Sequence, residues 1–186
     1  MFRGSMVALI TPMHADGGID DASLARLVEF HLDQGTDAIV AVGTTGESAT
    51  LDEKEHCHVL GQVVEMAGGR IPVIAGTGCT GTDATIALTR HAREAGAEAA
   101  LVALPQYFRV GFEDVKRHFS RVVAEGGLPV LYYNFPAVTR LELSPAEIAE
   151  LAAIPGIVGV KETIFDVEEI AELAKLTEEM PFSVLS

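Results

Sequence analysis

Apolar residues along this chain come in short, unbroken, β-branched runs, each opening into Gly, Thr or Pro. They are VALITP from Val7, AIVAVGTTG from Ala38, IPVIAGTG from Ile71, AALVALPQY from Ala99, LPVLYYNFP from Leu128, GIVGVKET from Gly156 and FSVLS from Phe182. Apolar residues at successive rather than alternate positions predict strands buried on both faces, as in parallel sheets. Between the runs, apolar positions recur at helical spacing. Residues 23–34 place Leu24, Leu27, Val28 and His31 on one stripe. Residues 50–66 open with Thr50 and Glu53 at capping-box spacing. Residues 83–94 end near Gly96, a natural helix stop. Residues 112–124, 145–152 and 167–177 complete the predicted helices.

The repeating unit is βα, about 25–35 residues long, which fits parallel βαβ crossovers. Two architectures accept it, a doubly wound open sheet and a (β/α)8 barrel. Polar and glycine-rich residues follow strand ends all along the chain rather than at one switch point, which favours the barrel. Such a barrel usually takes roughly 250 residues, and this chain has 186. The reading is an α/β fold, a single (β/α)8 TIM-barrel domain over residues 1–186. It is expected to be truncated after about six βα units and the start of the seventh strand, so that it does not close.

With 48% hydrophobic residues there is material for one sizeable core. The formal net charge of −14 repels phosphate backbones and anionic lipid, which argues against nucleic-acid or membrane partners. Cys57 and Cys79 lack a disulfide-framework spacing and read as reduced thiols of a cytoplasmic protein. The opening MFRGSMVALITPM has too short an apolar run for a signal peptide or membrane span.

Five groups of residues bear on chemistry. Gly43-Thr44-Thr45-Gly46-Glu47-Ser48 follows the second strand. Its glycines, hydroxyls and backbone N–H groups suit a carboxylate or phosphate, or simply a polar loop leading into a helix. Gly76-Thr77-Gly78-Cys79-Thr80-Gly81 spells G-x-G-x-x-G, but the acid at dinucleotide-site spacing, Glu98, stands at the start of the next strand, the wrong end. A tight loop at a barrel mouth is the better reading. His56-Cys57-His58 places its two imidazoles on different helix faces, so no metal is expected there or elsewhere, and a solvated helix surface is the reading. Of Tyr132 and Tyr133, adjacent on a strand, at most one points at a mouth, where a phenol is a competent proton donor. Lys161 ends a buried strand. Either it snorkels to solvent or pairs with an acid such as Glu162, or it is partly desolvated and serves as an amine nucleophile toward ketones.

Taken together, GSMVALITP, GTTGESATL, RIPVIAGTG, YNFP and GVKET make the chain resemble the dihydrodipicolinate synthase and N-acetylneuraminate lyase family of pyruvate-dependent class I aldolases. The resemblance runs over essentially the whole chain. It implies a (β/α)8 barrel in which Lys161 forms an imine with pyruvate, with no other cofactor. Tyr133 matches the general acid/base and Thr44 the proton relay beside it. Tyr107 matches a tyrosine that reaches a neighbouring subunit's site, implying a homodimer or homotetramer. Thr45, with Gly46 in the same loop, matches the group that binds the pyruvate carboxylate. The substrates implied are a small 2-keto acid and an aldehyde.

Three positions depart from the biosynthetic members. Val138 stands where they carry an arginine for the second substrate's carboxylate, with Arg140 two residues on as a candidate substitute. Gln106 replaces a second tyrosine, and Thr163 an alanine. In these places the chain is closer to 2-keto-3-deoxygluconate aldolase-like members. The leading reading is therefore a Schiff-base lyase that joins pyruvate to an aldehyde or cleaves a 2-keto acid. Authentic 4-hydroxy-tetrahydrodipicolinate synthase of lysine biosynthesis is the alternative. An inactive fragment or binding remnant using its open edge, and a phosphate-binding barrel, stand behind them.

Overall fold

The computed structural model describes residues 2–105, 107 and 109–186. Among the described residues seven strands form one sheet: β1 (Met6–Ala8), β2 (Ala38–Ala41), β3 (Val73–Gly76), β4 (Ala99–Ala103), β5 (Val130–Asn134), β6 (Ile157–Glu162) and β7 (Ser183–Leu185). They lie in chain order, each parallel to the next. Helices alternate with them: α1 (Asp21–Asp33), α2 (Glu53–Ala67), α3 (Thr82–Ala95), α4 (Phe112–Gly126), α5 (Pro136–Thr139), α6 (Pro145–Ala152) and α7 (Val167–Leu176). This is the winding of a (β/α)8 barrel carried through seven strands. Among the described residues β1 and β7 are the two edges of the sheet.

Local signals set most of the helix ends. Asp20 caps α1 through the Ser23 N–H, and Gly96 ends α3 in the left-handed conformation its sequence position implies. One capping box differs from the sequence expectation. The capping box of α2 is Asp52 with Glu55, not Thr50 with Glu53. Thr50 is taken up earlier, its hydroxyl donating to the Glu47 carbonyl in a run of turns, so the helix begins after it. The short α5 has no sequence counterpart above. It forms because Pro136 suits a first helical position and the Thr139 hydroxyl donates back to the Phe135 carbonyl.

His56 also departs from expectation. It is buried on α2, with Nε2–H donating 2.8 Å to the Gly76 carbonyl, and burial lowers its pKa. His58 points away to solvent, where its ring meets Asp21 at 2.8 Å, so the two imidazoles diverge as their spacing requires. Cys57 and Cys79 are free thiols. No helix among the described residues is long and apolar enough to cross a membrane.

The sheet has two apolar faces. On the outer face Ile39, Val102, Tyr132 and Val160 pack with the helix residues Leu24, Leu60, Phe119 and Leu151. On the inner face Val40, Ile74, Leu101, Leu131 and Tyr133 form a second cluster. An interior cavity of about 550 Å³ runs along that face, bordered by Met6 and Ala8 on one edge strand and Val184 and Leu185 on the other.

Alternation breaks once, and the break decides where Lys161 points. In β5, Val130, Tyr132 and Asn134 face outward while Leu131 and Tyr133 face inward. In β6 the ladder pairs Val130 with Ile157 but Leu131 with Gly159, so Val158 is an extra residue, a β-bulge. Ile157 belongs to the outer cluster, and strict period-two counting would place Lys161 outside with it. The bulge inverts the parity, so Val160 turns outward and Lys161 inward. Gly159 makes this possible. A Cβ there would stand 2.6 Å from the Ser183 carbonyl oxygen and 2.7 Å from the Leu131 side chain.

Candidate active site

The site lies at the carboxyl ends of the strands, where (β/α) barrels place their chemistry. At the end of β2 the chain turns sharply. Val42 is fully buried with φ of 48°, a left-handed conformation that a β-branched residue adopts at a cost of about 1–3 kcal/mol. Gly76, at the end of β3, lies directly against the Val42 carbonyl, and a Cβ there would collide with it. These contacts account for the first glycine of the G-x-G-x-x-G stretch without a nucleotide. Beyond the turn, the Glu47 N–H donates to the Thr44 carbonyl and the Ser48 N–H to the Gly43 carbonyl. The loop is tied to the segment that follows β1 by the buried Thr11 hydroxyl, which donates 2.7 Å to the Gly46 carbonyl.

A mouth cavity of about 310 Å³ opens over this loop. Thr44, Glu47, Tyr133, Phe135 and Val138 border it. Tyr133 and Phe135 are stacked, with ring centroids 5.3 Å apart. Lys161 pairs in register with Tyr133, and its Nζ lies 4.4 Å from the Tyr133 ring centroid. Leu101 borders both the mouth and the interior cavity, and Lys161 borders the interior one. Glu162 does not pair with Lys161, because it leaves β6 on the opposite face. Among the described residues Lys161 forms no ion pair with a carboxylate.

The structure thus brings Thr44, Tyr133 and Val138 to one mouth, with Lys161 on the interior side of Tyr133. The remaining sequence-predicted residues stand apart from it. Thr45 is exposed on the loop, and Gly46 is buried beneath it. Arg140 ends α5 with φ of 55°, exposed and not among the residues bordering the mouth. Tyr107 stands out from the loop after β4, 77% exposed. Gln106 lies outside the described residues.

Sequence reasoning missed a polar network directly behind the site. On the outer face the Tyr132 hydroxyl donates 2.8 Å to Asn134 Oδ1. Asn134 Nδ2 donates to both carboxylate oxygens of Glu162, at 3.0 and 2.9 Å. Glu162 Oε1 also accepts the backbone N–H groups of Thr163 and Ile164, and the Thr163 hydroxyl donates to the Asn134 carbonyl. Tyr132 and Asn134 are fully buried, and Glu162 nearly so. Burial, and then the Glu162 charge, push the Tyr132 phenol well above its ordinary pKa, which keeps it a donor. The available signal was the pairing of Tyr-Asn on one strand with Lys-Glu on the next.

Comparison with known proteins agrees with the strand winding. Residues 1–186 match the Dihydrodipicolinate synthetase family. The chain is 52% identical over 174 residues to the 4-hydroxy-tetrahydrodipicolinate synthase of Alkalilimnicola ehrlichii, an alignment taking in 92% of this chain and 60% of that protein. The enzyme of the same name from Methylococcus capsulatus is 51% identical over 179 residues, covering 96% of this chain and 62% of the other. Among solved structures, the dihydrodipicolinate synthase of Acinetobacter baumannii complexed with pyruvate superposes with a TM-score of 0.94 at 42% identity. That superposition covers 99% of this chain and 64% of that one. The chain therefore spans somewhat over half the length of these relatives, 60–64% of each. By sequence and by strand winding alike, it belongs to the dihydrodipicolinate synthetase family.

Proposed function

We propose that this chain carries the pyruvate-binding half of a Schiff-base lyase, which joins pyruvate to an aldehyde or releases it from a longer 2-keto acid. The observation that carries the reading is the inward Lys161, set in register against Tyr133 with Nζ 4.4 Å from its ring. The pyruvate complex of the Acinetobacter baumannii relative supports the choice of keto acid.

In this reading the Lys161 amine adds to the pyruvate keto carbon, and water leaves from the carbinolamine to give an iminium. The iminium draws electrons from the neighbouring methyl group. Loss of a methyl proton gives an enamine, whose carbon attacks the aldehyde, and hydrolysis returns the amine. Tyr133 is the acid and base for these proton transfers, and Thr44 relays protons from the loop above it. Thr45 and the backbone around Gly46 take the pyruvate carboxylate. The lysine supplies the electron sink, so the reaction asks for no metal or other cofactor. Tyr107 serves a second copy of the chain in a homodimer or homotetramer, which its exposure supports. The free thiols of Cys57 and Cys79 support a reducing, cytoplasmic setting.

The second substrate is read from the mouth wall. Val138 borders it, Glu47 places a carboxylate there, and Arg140 is not among the bordering residues. That lining favours a neutral, sugar-derived aldehyde over an anionic one. The names of the curated relatives favour the second reading, 4-hydroxy-tetrahydrodipicolinate synthase.

Borohydride reduction in the presence of pyruvate tests the chemistry. A covalent adduct is expected on Lys161 and none in Lys161→Met. Absence of the adduct, or its persistence in the variant, overturns the reading. Turnover with aspartate semialdehyde against 2-keto-3-deoxy sugar acids separates the two substrate classes.

A further inference from the structure

We propose that Asn134 and Glu162 are positioning residues that pin the register of β6 against β5 and so hold Lys161 on the inner face beside Tyr133. The proposal rests on the reading of Lys161 as the nucleophile, and the observations behind it are those of the bulge and the buried network.

A bulged strand is open to slippage. β6 carries one residue more than β5 opposes, at Val158. A slip of one residue sends each side chain to the other face and would place Lys161 among the helices. The backbone ladder alone opposes this weakly, because parallel strands in a slipped register make equivalent hydrogen bonds. Side chains beyond the bulge must therefore specify the register. The nearest outward-facing polar pair is Asn134 with Glu162, directly opposite each other in the ladder. Glu162 accepts four hydrogen bonds, two from Asn134 Nδ2 and two from the backbone turn that follows β6. Tyr132 orients Asn134 by occupying its Oδ1. A slipped register would leave these buried groups unpaired at the desolvation cost of each, greatest for the carboxylate. The pair sits one residue beyond Tyr133 and Lys161 on each strand, so whatever fixes the one fixes the other.

The test uses the full chain and a readout that does not depend on pyruvate. Reductive methylation with formaldehyde and cyanoborohydride, followed by peptide mass spectrometry, gives the labelling of Lys161 relative to Lys54, Lys116 and Lys175 in the same molecules. In Glu162→Gln, the new amide faces Asn134 Nδ2, donor against donor. In the slipped register Lys161 lies among the helices, so its labelling is expected to fall at least about threefold against the other lysines. Asn134→Asp alone sets two carboxylates together and acts in the same direction. The double variant Asn134→Asp with Glu162→Gln satisfies every group again. The Tyr132 hydroxyl and the amide introduced on β6 both donate to the carboxylate introduced on β5, and the carbonyl of that amide keeps the turn N–H groups. The double variant should return the ratio to that of the unaltered chain.

A merely stabilising network would leave the labelling of folded molecules unchanged in Glu162→Gln, and that result overturns the proposal. So does a double variant that stays as perturbed as the single ones. Should Glu162→Gln fail to fold, Tyr132→Phe takes its place, with lowered labelling supporting the proposal and unchanged labelling refuting it. In pyruvate trapping, the maximal rate at Lys161 is expected to fall about tenfold in Glu162→Gln, with a smaller change in half-saturating pyruvate. If the unaltered chain forms no pyruvate adduct, the lyase reading fails, and the methylation ratio still decides the register proposal.

Discussion

Tyr132 and Tyr133 are neighbours in the chain with the same side chain and opposite surroundings. Tyr132 is sealed on the outer face, edge-on to Phe119 at 5.3 Å, with its hydroxyl committed to Asn134. Burial and the nearby Glu162 charge keep that phenol protonated, so it is a fixed donor. Tyr133 faces the inner side, where it borders the mouth and lies against Lys161. A phenol at a cavity wall, beside an amine, is placed to exchange protons. The contrast comes from strand parity alone. It divides the molecule into a packed outer layer and an inner face that carries the proposed chemistry, joined at the Asn134–Glu162 pair.

The largest test of that division is Phe119→Ala. Phe119 is fully buried between α4 and the sheet, and its loss should cost about 3–5 kcal/mol of stability by urea unfolding. Pyruvate trapping per folded molecule should be unchanged, and a parallel loss of trapping would break the comparison.

The next test uses pH. His118, buried on α4 beside Phe119, has its pKa pushed down to about 4, first by burial and then by the Arg121 charge. An unfolded histidine titrates near its ordinary value of about 6.5. Between those values the unfolded chain takes up a proton that the folded chain refuses, so stability falls as pH falls. The loss attributable to His118 reaches about 3 kcal/mol near pH 4. Urea unfolding of His118→Gln against the unaltered chain should show a pH dependence flatter by about that amount over the same window.

The sharpest test exchanges the two phenols in turn. Tyr133→Phe should lower the maximal trapping rate about a hundredfold and change stability little. Tyr132→Phe should cost about 1 kcal/mol of stability. Its smaller effect on trapping should follow the Lys161 labelling ratio, not the missing hydroxyl as such.

Much of the outer layer was legible before folding. The unbroken apolar runs marked the strands, and Gly96 and the stripe through Leu24 and Val28 marked helix ends and faces. The α2 start was misread because Thr50 and Asp52 are both competent caps, and only the preceding turns, with Thr50 bonded to Glu47, choose between them. His56 was misread for a related reason. Its partner is the carbonyl of Gly76, twenty residues away, and no local pattern announces such a contact.

The candidate site divides the same way. Lys161 at a strand end, Tyr133 one strand earlier and Thr44 in a glycine loop are written in the sequence, because strand order in a parallel βα fold follows chain order and brings strand ends together. What the linear pattern could not settle is which way Lys161 points. Counting from Ile157 puts it outside, and only the ladder between β5 and β6, which passes over Val158, puts it inside. A bulge is a relation between two strands. Its existence depends on the partner's register, on Gly159 fitting against Ser183 and Leu131, and on Glu162 finding Asn134. None of these exists until the chain has folded.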